Sequence, residues 1–190
     1  VEWQKHSTMK LIDAAINCGA KLVLLPECGH AYGALRWQGA AMYGKPLPFK
    51  VQHVSEYLAE VISAGRLKVK KTDQTVTFHD PCQIVRRGGV VEPPRNLLHV
   101  VASDFVEMRD HGDMNWCCGG GGGVSANERA EELRIKVFDR KKQQLDELGV
   151  TTMVTACANC RLVLEEGLEH NDMLMDIIGL SELVAEHLSE

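Results

Sequence analysis

Five of the seven cysteines fall into patterns that gather thiols at one place. Cys82 closes an HDPC segment, Cys117 and Cys118 are adjacent, and Cys157 and Cys160 form a CxxC turn within ACANC. Thiolates are soft donors, and several converging on one cavity are the ligand set of an iron–sulfur cluster. A CxxC turn lets two sulfurs face one metal centre. An adjacent pair is harder to use, because neighbouring side chains diverge in regular structure, so it needs an irregular backbone. The run Gly119 to Gly123 follows the pair directly and supplies one. Glycine reaches positive φ and lets a bulky group approach the main chain. The N–H groups of Gly119, Gly120 and Gly121 are therefore candidate donors to sulfur, an interaction that tunes such sites. A helix opening near Ser125 is expected to turn its positive end toward the same anionic group.

Other chemistries use parts of this set. A structural zinc ion takes four ligands, and a lone CxxC serves as a redox dithiol. Five cysteines exceed the zinc requirement. Buried, unligated thiols are a further alternative. The glycine run resembles a phosphate loop but lacks the GK[ST] ending. Beyond the five, Cys28 in ECGH follows an apolar stretch and is a candidate substrate-contacting or redox thiol, with a structural thiol as the alternative. His79 is a candidate catalytic proton donor or hydrogen-bond partner of the cluster. In the competing reading, Asp80 and Pro81 simply shape the turn before Cys82. His30 is weighed in the same way as His79. Arg86 and Arg87 are candidates for gripping a substrate carboxylate or offsetting cluster charge, against a solvated surface role. Trp116 is a candidate shield against water, or core. Cys18, at a helix end before Gly19, reads as packing.

These residues need a scaffold, and the composition allows one. The chain has 190 residues, 45% hydrophobic and 25% charged, enough for a sizeable core without disulfides. A net charge of −5 argues against nucleic acid as a partner. No apolar run is long enough to span a bilayer, and no export signal is visible. Thiols kept reduced in a cytoplasm stay available as ligands. The chain opens on Val1 with a helical pattern already under way, so it reads as a portion of a longer polypeptide.

The patterning predicts helices over Met9–Cys18, Tyr32–Tyr43, Val51–Ala64, Pro93–Ser103, Asn127–Leu148, Cys160–Leu168 and Ser181–Leu188. Strands are predicted at Lys21–Leu25, Thr75–His79, Phe105–Met108 and Thr151–Thr155. Leu133, Val137, Leu145 and Leu148 mark the expected inner face of the long helix. Alternating strands and helices predict an α/β fold, a mostly parallel sheet flanked by helices. A basic connector over Gly65–Asp73 suggests an N-terminal α/β portion (residues 1–70) and a cysteine-rich portion (residues 71–190), folded together as one unit. Each cysteine motif follows an apolar stretch: LLPEC, TFHDPC, MNWCC and MVTACANC. In a parallel sheet such motifs gather at the carboxyl edge, where open α/β folds place their ligands.

In this order, HDPC, CCGGGGGV and ACANC resemble the cysteine-rich CCG domain. That domain is found in the B and D subunits of heterodisulfide reductase and in the subunits of glycolate, lactate and anaerobic glycerol-3-phosphate oxidation. With HDPCQIVRRGGVVEPPRNLL upstream, the five-glycine form is most similar to the K subunit of the membrane Dsr complex of sulfur metabolism and its heterodisulfide-reductase-D-like relatives. The likeness is close from about Thr75 to Leu168. It implies that Cys82, Cys117, Cys118, Cys157 and Cys160 ligate a noncubane [4Fe–4S] cluster at which a disulfide or trisulfide is reduced. Implied partners are other iron–sulfur subunits and a membrane cytochrome b-type subunit, with the chain itself cytoplasmic and membrane-associated through them. The CxxCxxC motifs of the K and D subunits are absent, and only one cysteine set is present. The rival functions are an electron relay between a flavin dehydrogenase and a quinone-reactive subunit, and a zinc-stabilised interaction module without catalysis.

Overall fold

The computed structural model describes residues 2–189. Helix α1 (Glu2–Asn17) buries Thr8, Ile12 and Ala15 and starts well before Met9. Gly19, at φ 68°, turns the chain into strand β1 (Leu22–Leu25). Helices α2 (Gly29–Arg36) and α3 (Gly39–Tyr43) stand where a single helix over Tyr32–Tyr43 is expected. Glycines at 33 and 39 weaken a continuous helix. The break at Trp37 and Gln38 also lets Leu47 close directly on Gly39.

Strand β2 (Lys50–His53) corrects a second expectation, because Val51 begins no helix. Val51, Gln52 and His53 are a buried parallel partner of β1, with Leu25 opposite His53. Helix α4 (Val54–Ser63) then starts on a cap that a propensity reading misses. The His53 ring accepts from the Ser55 N–H, and Glu56 accepts from the His53 N–H at 2.7 Å. The connector is shorter than expected, since it contains β3 (Lys68–Val69) and gives way at Thr72 to β4 (Thr72–His79).

Helix α5 (Glu92–Val101) carries two prolines in its first turn, where their missing N–H costs nothing. It runs straight into β5 (Ala102–Val106), three residues earlier than the predicted strand start at Phe105. Short 3₁₀ turns occupy Gly112–Met114, Gly121–Ala126 and Glu128–Ala130. Helix α6 (Glu131–Leu148) therefore begins beyond Asn127, and no helix opens at Ser125. Its inner face is the expected one only in part, with Leu145 buried and Leu148 packed against the core. Leu133 is 56% exposed, while Arg134, Phe138, Lys141, Gln144 and Leu145 are buried. The chain then forms β6 (Thr152–Thr155), α7 (Ala158–His170), β7 (Asp176–Gly179), α8 (Leu180–Glu186) and β8 (Leu188–Ser189), which pairs antiparallel with β3.

The main sheet has four strands in the order β5–β4–β6–β7, all parallel. The fold is thus α/β, a parallel sheet flanked by helices. One continuous apolar core runs from Ile12 through Val76, Phe78, Phe138 and Met153 to Val184. β4 and β6 are central, and β6 together with residues 76–79 of β4 is buried on both faces, as parallel strands under two helical layers must be.

Candidate metal centre

Strand ends deliver the cysteines. β4 ends at His79 and leads into Asp80–Pro81–Cys82. β6 ends at Thr155 and leads to Cys157, the residue that caps α7. β1 ends at Leu25 and leads to Cys28, the residue that caps α2. Two cross-links tie these ends together. Thr155 Oγ1 donates to the His79 carbonyl at 3.1 Å, and the Ala158 N–H donates to the Glu27 carbonyl at 3.0 Å.

The turn before Cys82 is held by a buried ion pair. Arg95 grips both Asp80 oxygens at 2.9 Å, and the Gly112 N–H adds a third bond at 2.7 Å. The Asn115 side chain donates to the Asp80 carbonyl, so the same residue fixes the loop that carries Cys117. Asp80 thus shapes the turn, as one of the two sequence readings has it. Arg86 is spent on the same loop, donating to Asp113 O and to Asn115 O and Oδ1. Its charge also acts on Cys82, opposing the upward push on that thiol. Arg87 is exposed and donates to Gln83.

The five thiols form one chain of electrostatically coupled neighbours: Cys82 with Cys117, Cys117 with Cys118, Cys118 with Cys160 and Cys160 with Cys157. The Cys118 and Cys160 sulfurs lie 3.2 Å apart. Gly119 N–H reaches Cys117 Sγ at 3.3 Å, and Gly120 N–H reaches Cys118 Sγ at 3.5 Å. Gly119 sits at φ 91°, which a side chain rarely adopts. A Cβ on Gly120 would fall 2.6 Å from Val163. Gly121 occupies the open part of the loop, with nothing close to an added Cβ.

Protons are shared unevenly along this chain. Hydrogen bonds from Cys118, Cys82 and the Gly119 N–H hold the Cys117 thiol far below its ordinary value. A hydrogen bond from Cys160, with N–H groups of Cys160, Gly29 and Asn159, brings Cys157 down to about 6. Cys82 and Cys160 are pushed up by the same hydrogen bonds and by burial, and Cys118 rises to about 11 through its bond with Cys117. Two helix starts, α2 through Gly29 and α7 through Asn159 and Cys160, thus aim N–H groups at Cys157. They take the place of the helix expected near Ser125.

His79 is 1% exposed, and neither ring nitrogen has a partner. A donor atom of its ring and the sulfurs of Cys118 and Cys160 all lie within 4.8 Å of one another. Burial, and then the charge of Lys141, keep its pKa well below the usual value, so the ring is neutral. Cys28 is exposed rather than packed, and a Cβ on its neighbour Gly29 would fall 2.5 Å from the side chain of Gln83, next to Cys82. His30 is exposed and lines a small cavity of about 180 Å³ with Gln83, Arg87 and Trp37. Trp116 is half-buried, with its Nε1–H on Val137 O and the Arg140 guanidinium over its ring. Cys18 is also exposed, with its thiol on Ala15 O, so it packs into no core. Lys141, buried on α6 and acting electrostatically on Cys118 and Cys160, is not legible in the sequence as a site residue. Its neighbours on α6 look like an ordinary charged helix face.

The donor set fits a group that needs several soft ligands. Five thiols from three segments meet, main-chain N–H groups already point at sulfur, and an orphaned buried imidazole sits among them.

Residues 76–165 match the family described as the cysteine-rich domain, CCG. The chain therefore carries a CCG cysteine-rich domain, spanning all five motif cysteines. It is 35% identical over 182 residues to the D subunit of the dihydromethanophenazine:CoB–CoM heterodisulfide reductase of Methanosarcina barkeri, covering 93% of this chain and 43% of that one. The same protein of Methanosarcina acetivorans is 32% identical, covering 98% and 44%. The second iron–sulfur subunit of the Hdr-like menaquinol oxidoreductase of Archaeoglobus fulgidus is 31% identical, covering 72% and 26%. The chain spans less than half the length of these curated relatives. Among the described residues, no helix is long and apolar enough to cross a membrane.

Proposed function

We propose that Cys82, Cys117, Cys118, Cys157 and Cys160 hold an iron–sulfur cluster of the noncubane [4Fe–4S] kind, and that the chain is the sulfur-reducing part of an electron-transfer complex. The observation that carries this is the gathering of thiols from three segments at the carboxyl edge of the sheet, with the Cys118 and Cys160 sulfurs 3.2 Å apart and main-chain N–H groups on Cys117 and Cys118. Bound there, such a cluster would supply electrons, one at a time, to the two-electron cleavage of a disulfide or trisulfide.

The chain's own residues do the rest. The N–H groups of Gly119 and Gly120 stabilise negative charge on Cys117 and Cys118. His79 offers a neutral, buried N–H to the same sulfur cage. Trp116 and the walls of α6 and α7 keep water from its inner side. Cys28 stands at the exposed rim as the thiol that meets substrate. Partners are other iron–sulfur subunits and a membrane cytochrome b-type subunit, a reading supported by relatives named as reductase and menaquinol oxidoreductase subunits.

The same relatives favour a second reading, an electron relay to a quinone-reactive subunit. EPR of the oxidised, loaded protein separates the two. A paramagnetic signal that appears only with added thiol is expected if substrate sulfur binds at the site. A signal indifferent to thiol would contradict the reductase reading and leave the relay.

A further inference from the structure

Lys141 is 1% exposed, on the inner face of α6. A buried ammonium is costly unless it is paired and hydrogen-bonded. Among the described residues, its one hydrogen-bond partner is the Met108 thioether at 3.5 Å, a weak acceptor. The carboxylates that act on it from further off are Asp80 and Asp110, and both are committed elsewhere. Asp80 binds Arg95 and the Gly112 N–H, while Asp110 binds Arg140 and Gln144. The other groups that act on Lys141 are the thiols of Cys118 and Cys160, which become negative as thiolates when they ligate a metal. The neutral ring of His79, also without partners, lies among the same sulfurs.

We infer that Lys141 is the buried counter-cation of the thiolate-held group, fixed beneath Cys118 and Cys160 to favour the more negative, reduced state of the site. This rests on the cluster reading above. A fixed positive charge in a low-dielectric interior stabilises an added electron without forming any bond to the metal. Lys141 is therefore a positioning residue that sets potential, and not one that touches substrate. It also explains why α6 turns this lysine inward, whereas Arg134 on the same helix is held by Glu166. The charge is stranded when the site is empty and matched when it is filled.

The test compares the whole chain with its Lys141→Met and Lys141→Arg variants, empty and anaerobically loaded with iron and sulfide. In the empty state, Lys141→Met is expected to melt higher than wild type, because a stranded charge is gone. In the loaded state, its midpoint potential is expected to fall, while Lys141→Arg stays close to wild type. A Lys141→Met variant that melts lower when empty, fails to fold, or keeps the wild-type potential when loaded overturns the inference. So does a Lys141→Arg potential displaced as far as that of Lys141→Met, which would make shape rather than charge the cause. Wild-type protein that takes up no iron and sulfide would instead overturn the cluster reading, and this inference with it.

Discussion

His53 shows how burial decides protonation. It is fully buried between Tyr32 and the start of α4, and burial lowers its pKa to about 4. The unfolded chain takes up the proton near pH 6.5 and the folded chain only near 4. Stability is thus complete above 6.5 and is lost as pH falls between those values. In urea melts, wild type should lose on the order of 2 kcal/mol more than His53→Asn between pH 7 and pH 4.5. Asparagine can cap α4 but cannot titrate. Equal losses in the two proteins would show that the ring is already protonated in the fold. Asp80 shows the other side of burial, a carboxylate enclosed against the Arg95 guanidinium. Arg95→Met would leave it buried and unpaired, at a cost of about 3–5 kcal/mol in denaturant unfolding. A loss below about 1 kcal/mol would place the weight of the turn elsewhere, on the Gly112 and Asn115 bonds.

Elements that rest on local rules are readable in the sequence, and elements that rest on distant partners are not. KLVLL, TFH and TTMVT announce strands through β-branched runs, and Gly149 stops α6 as expected. β2 and β7 stay hidden because parallel pairing leaves no local mark, and VQH before a helical pattern reads as the helix itself. The long helix lies close to its expected place, and its inner face is the expected one only in part. Leu145 is buried as apolar spacing predicts and Leu133 is not, while Arg134 turns in to Glu166 and the carbonyls of Val124 and Asn127, and Lys141 turns in to Met108. The cysteine motifs are legible as a set, since number and spacing carry the chemistry. Which thiols become neighbours is not, because it depends on which strand ends meet. Contact between α6 and α7 offers a test at this scale. A Cβ on Gly167 would run into the Phe138 ring. Gly167→Ala gains about 1 kcal/mol of helix propensity but overpacks a filled core by about 1–3 kcal/mol or more. The net expectation is a lower melting temperature, and a higher one would mean that the two helices separate freely.

At the scale of the molecule, the sheet turns one edge into a collecting point for thiols from the ends of β4 and β6 and the loop beyond β5. Loops of β1 and α2 close that edge through Glu27 and Gly29. Remote pieces of chain thus contribute sulfur, N–H donors and a buried cation to one place. The resemblance in the cysteine motifs and the match over residues 76–165 describe the same part of the molecule. The most direct test of the central claim is a count of iron, acid-labile sulfide and zinc in anaerobically prepared wild-type chain, beside Cys117→Ser and Cys157→Ser. The account predicts about four irons and about four sulfides per wild-type chain, with iron sharply reduced in both variants. One zinc without sulfide, or a Cys117→Ser variant with its full complement of iron, would contradict it.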